Sequence, residues 1–156
     1  MLCAPEHQMA LITSDCVPQK RRSHPWCAGP NSAIIRLLLG VTPIEAGWTR
    51  LQIAPQPSTL KTITASVPFV LGPTATQLPL EITQTPSSLF VRFTVPKGTS
   101  AEVCLPPPHG AAAAATTANK AGGVTLDGKG VPTVARGRML CIESDVVPGA
   151  HIAERA

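Results

Sequence analysis

The chain contains no tyrosine, and three phenylalanines and two tryptophans among 156 residues leave an aromatic share of only 3%. Modules that bind sugars on an open surface stack pyranose rings on exposed aromatics, so this scarcity counts against a free-standing lectin-like face. Charge is sparse as well, at 14% of residues, which argues against a coiled coil or a chain held open by its own repulsion. No run of 18 or more apolar residues is present, so no membrane-spanning helix and no membrane partner are expected. Residues 1–7 lack a basic region followed by an apolar core, so no signal peptide is expected and the compartment stays open. The net charge of +4 is scattered apart from Lys20-Arg21-Arg22, which reads as a solvated loop. Without a basic face interleaved with aromatics, no nucleic-acid partner is expected. Neither a glycine-rich phosphate loop nor a nucleophile elbow occurs, and no cofactor is implied. Five cysteines, an odd number with no C-x-x-C spacing, argue against a closed disulfide framework. Cys104 and Cys141 lie inside strand-like runs, where a thiol serves as a small buried hydrophobe, so reduced core cysteines are expected.

What is present is a chain 44% hydrophobic, with 17 prolines and 12 glycines, long enough for one domain, or for one small domain plus a fragment of another. Short segments broken by Pro and Gly predict strands over residues 50–54, 60–67, 78–83, 88–95, 101–105, 123–126, 131–135 and 138–143. The cleanest alternation is in 88–95, where Leu89, Val91, Phe93 and Val95 share one face. Turn chemistry in Pro96-Lys97-Gly98-Thr99 and Asp127-Gly128-Lys129-Gly130 supports antiparallel hairpins. About eight strands at this spacing predict a mainly β fold, an antiparallel β-sandwich. Ahead of them, Asn31 or Ser32 is a reasonable N-cap for a short helix over residues 33–39, closed by Gly40 and stopped by Pro43. Its nearly continuous apolar run predicts burial on most sides, or a face intended for something further. The alanine-rich stretch 111–122 reads as a helix by propensity or as an insertion between strands.

The run Ser23-His24-Pro25-Trp26-Cys27-Ala28-Gly29-Pro30-Asn31 leads into Leu39-Gly40-Val41-Thr42-Pro43, then Gly47-Trp48 and Ile53-Ala54-Pro55-Gln56-Pro57. This order resembles the end of the catalytic barrel of the α-L-rhamnosidase glycoside hydrolases, where a Cys-or-Ser-His-x-Trp stretch, a short helix and a Leu-Gly-Val-x-Pro exit open a C-terminal β-sandwich. Residues 95–106 and 124–129 also look like that closing sandwich. The resemblance implies that residues 1–49 are the C-terminal remnant of an (α/α)6 barrel and that 50–156 are the sandwich domain. A complete six-hairpin barrel needs several hundred residues, so the chain reads as a C-terminal fragment of such an enzyme.

Glycoside hydrolysis needs one protonated carboxyl to assist the leaving oxygen and a second carboxylate to activate water or to attack. The resembled family inverts, which sets the two carboxyls roughly 6.5–9.5 Å apart around a water. Its general acid lies upstream, and its general base is a Glu shortly before the His-x-Trp stretch. Glu6 is the candidate base by residue type, with a shorter Asp15 nearer; the competing and favoured reading of Glu6 is a solvated terminal carboxylate. His24 matches the imidazole that lines the rhamnose subsite, and a helix-entry histidine bonded to backbone carbonyls weighs equally. Trp26 is a sugar platform or, more in keeping with the apolar helix that follows, part of the barrel core. Cys3, His7, Cys16, His24 and Cys27 carry metal-ligand chemistry but match no closed zinc spacing, so no metal is expected. His109 and His151 read as loop residues.

The resemblance therefore implies part of an α-L-rhamnosidase whose full-length form cleaves terminal α-L-rhamnosides in a rhamnose-containing glycoside, with this chain inactive alone. The alternative is a stand-alone β-sandwich binding a carbohydrate or protein around Leu37, Leu38 and Trp48.

Overall fold

In the segment Leu89–Val95 every second side chain is buried, namely Leu89, Val91, Phe93 and Val95, while Arg92 and Thr94 face water. That alternation places one face of a strand against a core, and it recurs through the chain. The computed structural model describes residues 29–108 and 123–156. The strands among them form two sheets. One runs β1 (Val41–Pro43), β2 (Arg50–Ile53), β6 (Ser100–Leu105), β10 (Met139–Ile142) and β9 (Thr133–Arg136), in that spatial order. The other runs β3 (Thr62–Leu71), β4 (Thr74–Gln84), β5 (Leu89–Val95), β11 (Gly149–Arg155), β7 (Val124–Leu126) and β8 (Lys129–Gly130). All neighbours are antiparallel except β2 and β6, which run parallel with Leu51 opposite Ala101 and Ile53 opposite Val103.

The inner faces of both sheets supply a single apolar cluster. Leu51, Ile53, Val103 and Leu105 come from the first sheet, and Val67, Leu80, Ile82, Val91 and Phe93 from the second. This is the mainly β sandwich expected from the strand spacing, and each of the eight expected segments falls on a strand. Three strands were not foreseen: β1, β8 and the C-terminal β11. His151, expected in a loop, stands in β11 opposite Phe93.

The chain divides between Ile34 and Ile35 into two units. A short helix, α1 (Gly29–Ala33), precedes a single wide π-type turn at Ile34–Leu38. The expected C-cap is present, with Gly40 at φ +66°. The expected burial of the helical run is not: Ile34 is 47% and Leu37 68% exposed, and the first large buried side chain is Leu39. The apolar run is thus half outside the core: Ile35 and Leu39 pack against the sandwich while Leu37 faces water.

Gly40 sits where two backbones nearly touch. A Cβ there would lie 1.9 Å from the Ala54 carbonyl oxygen, and Gly40 O accepts Ala54 N–H at 3.0 Å. After β1 the chain turns through Ala46–Trp48, and the Trp48 ring stacks on Phe69 with centroids 4.9 Å apart. Gln84, buried beyond the end of the Leu78–Leu80–Ile82 face, donates Nε2–H to Ser58 O and Leu60 O and so holds the loop before β3.

Candidate functional site

Glu6, His24 and Trp26 lie outside the described residues, as do Asp15, Lys20 to Arg22, the N-terminal cysteines and His7, His109 and the alanine-rich stretch. Among the described residues, polar side chains gather in two places.

The first is the outer face of the five-stranded sheet. Alternation in β2 turns Leu51 and Ile53 inward and Arg50 and Gln52 outward, and β6 likewise points Ser100, Glu102 and Cys104 outward. The parallel register sets Arg50 beside Ser100 and Gln52 beside Glu102. Glu102 is buried, and its carboxylate is fully engaged. Its Oε1 accepts from Gln52 Nε2 at 3.0 Å and Arg136 Nη1 at 2.6 Å, and its Oε2 from Arg50 Nη2 at 3.4 Å. Arg50 also grips Asp145 with two prongs, Nε to Oδ2 at 2.7 Å and Nη2 to Oδ1 at 3.0 Å, a charge-assisted fork. That fork, through hydrogen bonding first and charge second, holds the Asp145 carboxyl below its ordinary range, with Ser100 Oγ–H adding a donor. It pushes the Arg50 guanidinium up for the same reason.

Beside Glu102, register places Cys141 of β10 directly opposite Cys104 of β6 with Cα atoms 3.9 Å apart, and the two sulfurs are bonded. The expectation of reduced core cysteines is corrected here. The partners are 37 residues apart, so only the pairing of β6 with β10 brings them together. Donor atoms of Glu102, Cys104 and Cys141 lie within 4.8 Å of one another, the spacing of a small metal site. In this arrangement the sulfurs are spent on each other, and the carboxylate oxygen facing them already accepts from Gln52 and Arg136.

The second place is the junction of the Asp127-Gly128 hairpin with β11. Asp127 adopts φ +52° and Gly128 φ +76°, the paired left-handed conformation of a tight two-residue hairpin. Asp127 Oδ1 accepts Ile152 N–H at 2.8 Å, and Oδ2 lies 2.8 Å from His151 Nδ1. His151 Nε2 lies 3.0 Å from Val147 O. The His151 bond, then that of Ile152, pulls the Asp127 carboxyl below its ordinary range. An Asp–His pair resembles the orienting half of a nucleophilic triad, but the far nitrogen here faces a backbone carbonyl and not a hydroxyl or thiol. It is a clasp between a turn and a strand.

Arg155, buried on the inner face of β11, donates Nη1–H to Leu105 O at 2.6 Å and to Arg138 O at 3.2 Å. Burial lowers its pKa. The sequence singled out Cys104, Cys141, His151 and the Asp127 turn but not these pairings, because each residue is ordinary alone; the readable signal was the outward placement of Arg50, Gln52, Ser100 and Glu102 in their strands. A general acid needs a carboxyl pushed up, and both displaced carboxyls among the described residues, Asp127 and Asp145, are pushed down.

Residues 40–120 match the protein family described as the bacterial alpha-L-rhamnosidase C-terminal domain. No curated protein matches the sequence. Among solved structures, the α-L-rhamnosidase from Dictyoglumus thermophilum is similar with a TM-score of 0.65 and 17% identity, over 85% of this chain and 14% of that one. The Streptomyces avermitilis α-L-rhamnosidase, solved with L-rhamnose, is similar with a TM-score of 0.59 and 19% identity, over 82% of this chain and 11% of that one. At those identities the likeness is one of fold, and this chain spans only a small part of the length of either structure.

Proposed function

Because the chain belongs to the bacterial α-L-rhamnosidase C-terminal domain family, we propose that it is the end of the catalytic barrel and the closing β-sandwich of an α-L-rhamnosidase-like glycoside hydrolase, and that it does not catalyse the reaction alone. The observation that carries this reading is the match over residues 40–120, which takes in β1 to β6 of a sandwich like small parts of two rhamnosidase structures. In the complete enzyme, residues 1–49 carry the end of the (α/α)6 barrel and the entry to the sandwich of 50–156, with β1 already paired into its five-stranded sheet. Leu37, an apolar side chain at the entry and 68% exposed, gives the sandwich side of that junction something to bury. Hydrolysis of a terminal α-L-rhamnoside is then an inverting, two-carboxylate reaction of the whole protein. Glu6 is the base that activates water, the acid comes from upstream barrel segments, and His24 and Trp26 line the rhamnose subsite.

The purified 156-residue chain, offered an aryl α-L-rhamnoside, is expected to release no more aglycone than buffer does. The native gene product, measured by intact mass in its source, is expected to be several times heavier and to hydrolyse the same substrate. Turnover by the short chain, or a native species of 16.2 kDa, overturns the reading.

A further inference from the structure

The hairpin β9–β10 forms one margin of the five-stranded sheet, and its attachment there is slender. Strand β10 pairs with β6 at two positions only, Leu140 opposite Leu105 and Cys141 opposite Cys104. Two further ties reach the hairpin. Arg136 Nη1 bonds Glu102 Oε1 from a side chain 59% exposed, and Arg138 O accepts from Arg155 at 3.2 Å. Ile142, at the inner end of β10, is also buried in the main core with Leu140 packed against it, and the covalent link between hairpin and sheet is Cys104–Cys141.

We propose that this disulfide is a redox-controlled latch, opened by two-electron reduction with a low-molecular-weight dithiol or a thiol–disulfide oxidoreductase, and that opening it frees the β9–β10 hairpin while the sandwich stays folded. In the exchange, a reductant thiolate attacks one sulfur, forming a mixed disulfide and releasing the other cysteine as thiolate. The reductant's second thiolate then attacks its own sulfur of the mixed disulfide and displaces the remaining cysteine. The reductant leaves as its disulfide, and each protein thiolate takes a proton. Both sulfurs are buried, so attack follows local opening of the hairpin, the movement the bond restrains.

The surroundings accommodate the reduced form. Cys104 Sγ lies 3.7 Å from Glu102 Oε1, so the thiol finds an acceptor in place. Unbonded sulfurs must draw apart to van der Waals separation, by rotation about Cα–Cβ or by movement of the facing strands, whose Cα atoms stand 3.9 Å apart. Strand β6 is fixed by four paired positions with β2, so the hairpin is the side that yields.

Hydrogen exchange by mass spectrometry on the purified chain, with and without dithiothreitol, tests this. Reduction is expected to speed exchange in residues 133–142 by about tenfold or more while leaving β5 and β11 unchanged. Cys141→Ser should exchange like the reduced protein without reductant and respond to reductant no further. Should that variant fail to fold, reduced wild-type protein gives the same reading. Alkylation that finds Cys104 and Cys141 free in air-oxidised protein overturns the proposal, as does an unchanged hairpin on reduction. Exchange that rises equally through both sheets overturns it too, since the bond would then be a staple of the whole fold.

Discussion

Replacing Gly40 by alanine should be among the most damaging single-methyl additions to this chain, and Gly47→Ala is its internal control. Both glycines adopt left-handed conformations, φ +66° and +74°. That alone costs an L-residue about 1 kcal/mol at either site. The difference lies in the space around each. An added Cβ at Gly47 meets nothing within 4 Å, whereas at Gly40 it lies 1.9 Å from Ala54 O and 2.1 Å from Ala54 C. Real Cβ contacts stay beyond 3.0 Å, so the backbones must separate by at least 3.0 − 1.9 = 1.1 Å. Both opposing atoms are main chain, and no side chain can swing away. A shift of that size breaks Ala54 N–H to Gly40 O, now 3.0 Å, and loads the adjoining Val41–Ile53 pair of β1 and β2. Losing a buried backbone hydrogen bond costs about 1–3 kcal/mol, and disturbing the packing of Val41 and Ile53 adds a comparable amount. The sum for Gly40→Ala is about 4 kcal/mol, a large share of the stability of an ordinary domain, against about 1 kcal/mol for Gly47→Ala. Urea titration of the two variants beside wild type reads the gap directly. In thermal melts Gly40→Ala should fall by about 15 °C or arrive unfolded, and Gly47→Ala by about 4 °C. Equal losses in the two variants would refute the reasoning, since they would leave the positive φ as the only cost.

Two other perturbations follow from the polar clusters. Asp127 and Asp145 titrate below the ordinary carboxylate range in the folded chain, so their contribution to stability is fully present above that range and is lost as pH falls through their depressed values. Melting midpoints should decline below about pH 4, and Asp127→Asn should flatten part of that decline while costing at most about 1 kcal/mol at neutral pH, because the carboxylate is 47% exposed; a decline unaltered by the variant counts against the clasp. Glu102→Ala removes a buried acceptor from Gln52 and Arg136 and should cost about 2 kcal/mol in urea, with Glu102→Gln recovering part of it by keeping the volume; a neutral Glu102→Ala contradicts the inferred network.

The strands that could be read in advance were those that bury large apolar side chains at every second position. Leu89, Val91, Phe93 and Val95 carry that signal unaided, and so do Leu78, Leu80 and Ile82. Strand β11 escaped because its inward positions are Gly149, His151, Ala153 and Arg155, which hold no large hydrophobe. Its place comes from seven paired positions with β5, a long-range fact without a local trace. The parallel β2–β6 pairing and the Cys104–Cys141 bond were hidden for the same reason. The apolar run ending at Leu39 misled in the opposite sense, since hydrophobicity does not say which neighbour covers it. The assignments of Glu6, His24 and Trp26 rest on family resemblance alone, and these residues fall outside the described ones.

The placement of charge bears on where catalysis can reside in a complete enzyme. A glycosidase acid must hold its proton near neutrality, which needs a desolvated carboxyl without a cation at its side. In the sandwich, burial and cations come together: Glu102, the buried carboxylate, has Arg50 and Arg136 against it, and Asp145 shares Arg50. Arg50, whose hydrogen bonds hold the Asp145 carboxyl below its ordinary range, takes from that carboxyl the proton that acid catalysis would spend. A sheet built in this way suits cross-strand fastening and not the donation of a proton.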